Sequence, residues 1–132
     1  YREEFFEKFD RVVLDAPCSG LGVIRRKPEI LLRLSQQDMQ NLIKIQENML
    51  KNAAKYVKKG GILLYSTCSI NPEENELQIQ KFLTDNSEFS LTEIVFPEKF
   101  YENIHIYSKS EIKLYSHEFF GDGFYICKLV KS

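Results

Sequence analysis

Two hydrophobic periods alternate along this chain, and each change of period marks an element. "RVVLD", Arg11 to Asp15, is a short β-branched run stopped by Ala16-Pro17, which reads as a buried strand ending in a loop. From Ser35 the spacing turns helical: Met39, Leu42, Ile43, Leu50, Ala53, Ala54 and Val57 recur at mostly three- and four-residue intervals until Gly60-Gly61. Ser35 and Asp38 supply an S-x-x-D capping pattern at its start, and the glycine pair reads as its stop. "ILLYS", Ile62 to Ser66, is a continuous apolar run without alternation, the pattern of a strand covered by helices on both faces. Asn71-Pro72-Glu73-Glu74 then offers an N-cap, a first-turn proline and acids at the positive end of a helix dipole, predicting a helix through about Asp85.

Strand, helix, strand, helix is the grammar of a parallel α/β sheet. The last third departs from it. "FSLTEIVF" (Phe89 to Phe96), "EIKLYS" (Glu111 to Ser116) and "GFYICKLVK" (Gly123 to Lys131) are strand candidates with no long helix between them, and the final two are expected to pair antiparallel. Pro97 to Ser110 is aromatic but irregular and predicts no element. Residues Tyr1 to Lys8 are charged and aromatic without a period.

Composition narrows the function classes. At 132 residues the chain is one domain or less, long enough to bury roughly two thirds of its unfolded surface. Eighteen basic against nineteen acidic side chains leave a net charge of −1, so a domain-wide nucleic-acid footprint is absent and any such contact must be local. No apolar stretch reaches the ~18 residues of a membrane span and none resembles a secretory signal, which points to the cytoplasm and away from a membrane partner. Cys18, Cys68 and Cys127 are odd in number and widely spaced, unlike a disulfide framework or a zinc site, so free thiols are expected. His105 and His117 have no partners at ligand spacing, and no metal is expected. The chain opens on Tyr1, with its first strand within about a dozen residues, and reads as a single partial domain cut from something longer.

The chemistry gathers at the ends of the first two strands. Consecutive parallel strands joined by a helical crossover present their C-terminal ends at one rim, where ligands of open α/β sheets bind. Cys18 follows Asp15 by three residues and Cys68 follows Ser66 by two, so both thiols are expected at that rim, each followed by serine. Such a pair is suited to nucleophilic attack on a polarised carbon. Asp15 beside it could organise a polar substrate edge or shuttle a proton. A lone cysteine at a strand end is more often a buried small hydrophobe; two in matching loops weaken that reading.

"DAPCSG", "STCS" and "NPEENE" together resemble the two-cysteine signature of the Nol/Nop/Sun RNA cytosine methyltransferases, and "GVIRRKPEI" and "GDGFYICKL" resemble the bacterial RsmB branch, which acts on small-subunit ribosomal RNA. The resemblance implies a partial Rossmann-like methyltransferase sheet, the C-terminal half of a catalytic domain, with parallel strands, flanking helices and an antiparallel C-terminal pair. It implies S-adenosylmethionine as cofactor, RNA as partner, and 5-methylcytosine as product of a base taken out of its stack. Cys68 is then the nucleophile on carbon 6 of cytosine, Cys18 assists release, Asp15 lies against the cofactor and base edge, and Pro17 shapes the loop. The family's glycine-rich cofactor loop has no match here; Gly20-Leu21-Gly22 follows the wrong strand and lacks the third glycine, so this chain alone is expected to bind the cofactor poorly and to be inactive.

Other features are weaker signals. Arg25-Arg26-Lys27 could contact phosphates beside the active loop, with a solvated turn an equal alternative. Gly121-Asp122-Gly123 reads as a turn into the last strand, and Cys127, Tyr65 and Tyr125 read as core. Two other functions compete: a thiol-disulfide oxidoreductase cycling through Cys18 and Cys68, which would more commonly carry C-x-x-C, and a non-catalytic RNA-binding piece.

Overall fold

The computed structural model describes residues 1–97, 108–118 and 121–132. Strand β1 (Phe9–Asp15) lies parallel to β2 (Val57–Thr67), with Val12 opposite Leu63 and Asp15 opposite Ser66. The last strand, β5 (Phe124–Lys131), runs antiparallel along the other side of β2, with Tyr65 opposite Cys127. Strands β3 (Phe89–Leu91) and β4 (Glu111–Leu114) share the outer edge of β5, both antiparallel to it. The expected antiparallel pairing of the last two strands is therefore present. The strand expected over Phe89 to Phe96 is shorter, because β4 occupies the same edge of β5 from Cys127 onward; Thr92 N–H makes a last bond to Lys128 O before the chain leaves.

A single turn α1 (Ile30–Arg33) precedes the long helix α2 (Gln36–Tyr56), and α3 (Glu76–Asp85) follows β2. The Ser35 cap forms a complete capping box: its side chain accepts from Asp38 N–H while the Asp38 carboxylate accepts from Ser35 N–H. The apolar stripe of α2 packs Leu50, Ala53 and Ala54 onto Leu14, Leu63, Tyr65, Cys127 and Leu129 of the sheet, and Ile79 and Phe82 of α3 complete this core with Phe89.

Three local expectations change. Helix α2 ends at Tyr56, before the glycines, and Gly60-Gly61 lie inside the residues that pair as β2. Gly60 takes φ +77°, and a Cβ on Gly61 would stand 2.8 Å from Lys58 O, so the glycines loop out extra residues between Phe9↔Val57 and Arg11↔Ile62. The second helix breaks near its start: Asn71 caps only the 3-10 turn Pro72–Glu74, and Asn75, at φ −115° and ψ −109°, precedes α3. Finally, among the described residues the helices cover one face of the sheet. Burial alternates along β2, and on the opposite face Val13 is 68% exposed, so the described residues supply cover for the run Ile62 to Ser66 from one side. Most of the irregular stretch Pro97 to Ser110, with His105, lies outside the described residues.

Candidate active site

The parallel register of β1 and β2 carries both cysteine loops to the same rim, and Ala16 N–H donates to Ser66 O at 2.9 Å where the strands end. Beyond it the loops stay joined, Gly22 N–H donating to Cys68 O at 2.9 Å. The two thiols meet there: Cys18 Sγ is 2.9 Å from Cys68 Sγ, and both residues are half-buried. Burial, reinforced by the hydrogen bond to Cys68, pushes the Cys18 thiol up to about 12. Cys18 is thus a thiol at neutral pH, and its S–H can be donated to the Cys68 sulfur.

Behind the thiols lies a buried polar cluster that the sequence did not announce. Glu74, read from sequence as an acid at a helix start, is fully buried. Its Oε1 accepts from Ser19 N–H at 2.8 Å and from Gln46 Nε2 at 2.9 Å, and its Oε2 accepts from the hydroxyls of both Ser19 and Ser69. Four neutral donors satisfy the carboxylate. Asn75, turned inward by the helix break, accepts from Thr67 Oγ1 and donates to Ser69 O at 2.8 Å. The buried hydroxyl of Tyr65 donates to Glu74 O, and burial raises its pKa. The only sequence signal for this cluster was the serine after each cysteine.

The other predicted site residues scatter around this centre. Asp15 is exposed at the end of β1 and accepts from Ser66 Oγ at 2.8 Å. Pro17 offers its carbonyl to Gln46 Nε2 at 2.9 Å, which anchors the loop before Cys18. Arg25 and Arg26 line a shallow pocket of about 220 Å³ with Gly121 and Asp122. Arg26 forms a forked ion pair with Asp122, so the glycine-flanked aspartate is more than a turn. Gly123 N–H donates to Gly22 O at 2.7 Å, and a Cβ on Gly22 would fall 2.1 Å from Gly123 O; glycine at both positions lets the Cys18 loop lie on the start of β5. Cys127, Tyr65 and Tyr125 are core. His117 is exposed, 3.9 Å from Glu118.

Likeness to solved structures places this mixed sheet among S-adenosylmethionine-dependent methyltransferases. The crystal structure of PH0851 superimposes with a TM-score of 0.85 at 35% identity, over 96% of this chain and 27% of that one. NSun6 from Pyrococcus horikoshii, solved with the S-adenosylmethionine analogue SFG, matches at a TM-score of 0.70 and 29% identity, over 90% of this chain and 29% of that one. The chain belongs to the 16S rRNA methyltransferase RsmB/F family, whose model matches residues 1–130. It is 37% identical to the probable ribosomal RNA small subunit methyltransferase B of Bacillus subtilis and 41% identical to ribosomal RNA small subunit methyltransferase B of Pasteurella multocida. These alignments cover 95% and 94% of this chain but 28% and 26% of the relatives, so it spans about a quarter of their length.

Proposed function

We propose that this chain is the thiol-bearing part of an S-adenosylmethionine-dependent enzyme that methylates carbon 5 of cytosine in small-subunit ribosomal RNA. The observation that carries the reading is the 2.9 Å approach of Cys18 Sγ and Cys68 Sγ at the rim of β1 and β2. In this reading Cys68 adds to carbon 6 of a cytosine taken out of its stack, which makes carbon 5 electron-rich. Cys18, held as a thiol, donates its S–H to the Cys68 sulfur and so stabilises the thiolate that attacks. The same hydrogen bond stabilises that sulfur as a leaving group, once the proton on carbon 5 is lost and the carbon–sulfur bond breaks.

S-adenosylmethionine, when bound, supplies an electrophilic methyl group. The exposed Asp15 carboxylate, one oxygen engaged by Ser66, fits a hydrogen-bond donor on that cofactor or on the base edge. The single-domain boundary over residues 1–132, as the C-terminal half of a catalytic domain, belongs to this reading, as do Pro17 as loop former and Arg25 and Arg26 as phosphate contacts beside the rim.

The test is the trapping of the adduct in the full-length protein. With RNA and cofactor, Cys18→Ala accumulates a protein–RNA complex that survives denaturing electrophoresis, and Cys68→Ala forms none. Full activity in Cys68→Ala ends the role assignment. Thiol–disulfide exchange is a second reading favoured by the same distance, but a thiol held near 12 is poorly suited to redox attack.

A further inference from the structure

Each active-site cysteine is followed by a serine, and both serines end on one buried carboxylate. Ser19 and Ser69 lie fifty residues apart in sequence, yet their hydroxyls share Glu74 Oε2 and stand 3.1 Å from each other. The remaining oxygen of Glu74 is held by Ser19 N–H and by Gln46, whose Nε2 also grips Pro17 O ahead of Cys18. Glu74 itself is fixed from behind, since Tyr65 donates to its carbonyl oxygen. Burying a carboxylate carries a desolvation cost that an apolar plug would not incur. What an apolar plug cannot do is fix two loops in register by directed hydrogen bonds.

We propose that Glu74 is a positioning residue that, by binding Ser19 and Ser69 on a single carboxylate, sets the distance between the Cys18 and Cys68 sulfurs. Both cysteines sit in loops beyond the strand ends, and among the described residues the one backbone bond that joins those loops directly is Gly22 N–H to Cys68 O, so side-chain bonds carry the rest of the register. The break at Asn75 serves this arrangement: it turns Glu74 inward under the thiols instead of leaving it on the exposed first turn of a helix. Only the catalytic consequence rests on the methyltransferase reading. The spacing of the thiols does not.

The experiment compares wild type, Ser19→Ala/Ser69→Ala and Glu74→Gln in the full-length protein, with two readouts. The first is the equilibrium constant for the Cys18–Cys68 disulfide against a glutathione buffer, read by alkylation and mass spectrometry, which reports the effective concentration of one thiol at the other whatever the enzyme does. It falls about tenfold or more in both variants, as a loosened pair loses its preorganisation. The second is turnover on RNA, where kcat falls by a similar factor while KM for RNA stays within about twofold, because the loops' spacing and not substrate binding is altered. An unchanged disulfide equilibrium in folded Ser19→Ala/Ser69→Ala overturns the proposal. A tenfold fall in a protein whose wild type forms no RNA adduct upholds it and overturns the methyltransferase reading instead. Should Glu74→Gln fail to fold, Ser69→Ala alone decides by the same criterion, since it leaves the carboxylate in place.

Discussion

Two fully buried neighbourhoods adjoin along β2, and they are built from opposite chemistry. At Val57, Leu63 and Tyr65 the strand faces an apolar core with Leu50, Cys127 and Leu129, which packs the sheet against α2. At the rim, where β2 ends, the buried groups gathered around Glu74 are polar: Thr67, Ser69, Asn75, Gln46 and Ser19. The first region is held by non-directional contact, and a side chain of similar volume would serve as well. The second is held by hydrogen bonds with fixed directions, and it lies under the thiols. The sheet needs cohesion, whereas the rim needs geometry.

Five outcomes break or sharpen that contrast. Leu63→Ala opens a cavity in the apolar region and is expected to cost about 2–5 kcal/mol in chemical denaturation, while the thiol equilibrium of the folded protein stays at its wild-type value. A shifted thiol equilibrium would mean that the two regions are not separable. Gln46→Leu tests the rim from the other side. It removes a buried oxygen, Oε1, that lacks a partner among the described residues, but it takes a donor from Glu74, so a net loss of about 1–3 kcal/mol is expected. A gain in stability would show that the polar rim tolerates apolar filling.

Ser35→Ala removes the cap at the exposed end of α2 and should cost about 1 kcal/mol by thermal melting, without effect on alkylation of Cys18 or Cys68. The smallest effect at neutral pH concerns Cys18. Its folded pKa is raised from the ordinary 9.0 to about 12, so this stabilisation is complete below pH 9 and is lost as pH rises toward about 12, where the unfolded thiol is already ionised. Denaturation midpoints across that window should fall less steeply in Cys18→Ala than in wild type. Iodoacetamide at neutral pH should spare Cys127, which is fully buried, until the protein unfolds.

Much of the fold was legible because its signals are local. The capping box at Ser35, the spacing from Met39 to Val57 and the β-branched run at Arg11 to Asp15 each declare an element within a few residues, and the element order then placed both cysteines at one rim. Errors arose where a local signal had two uses. Gly60-Gly61 can stop a helix or loop out a strand, and the pairing of β1 with β2 on both sides of them decided for the second, with no room for a Cβ on Gly61 beside Lys58 O. Glu74 matched a helix dipole, but a partner on the other cysteine loop outcompeted the solvent for it. Likewise, an unbroken apolar run cannot tell cover on both faces from cover on one.

Sequence by itself determined the strands, the helices, the thiol rim and the family to which they point, since these depend on residue types at short spacing. Tertiary structure alone decided the 2.9 Å between the sulfurs, the burial of Glu74 between two serines, the backbone contact of Gly22 with Gly123 and the open face at Val13. Each of those joins or leaves unjoined segments far apart in the chain, and only folding fixes which of many satisfiable partners a polar group or a sheet face meets.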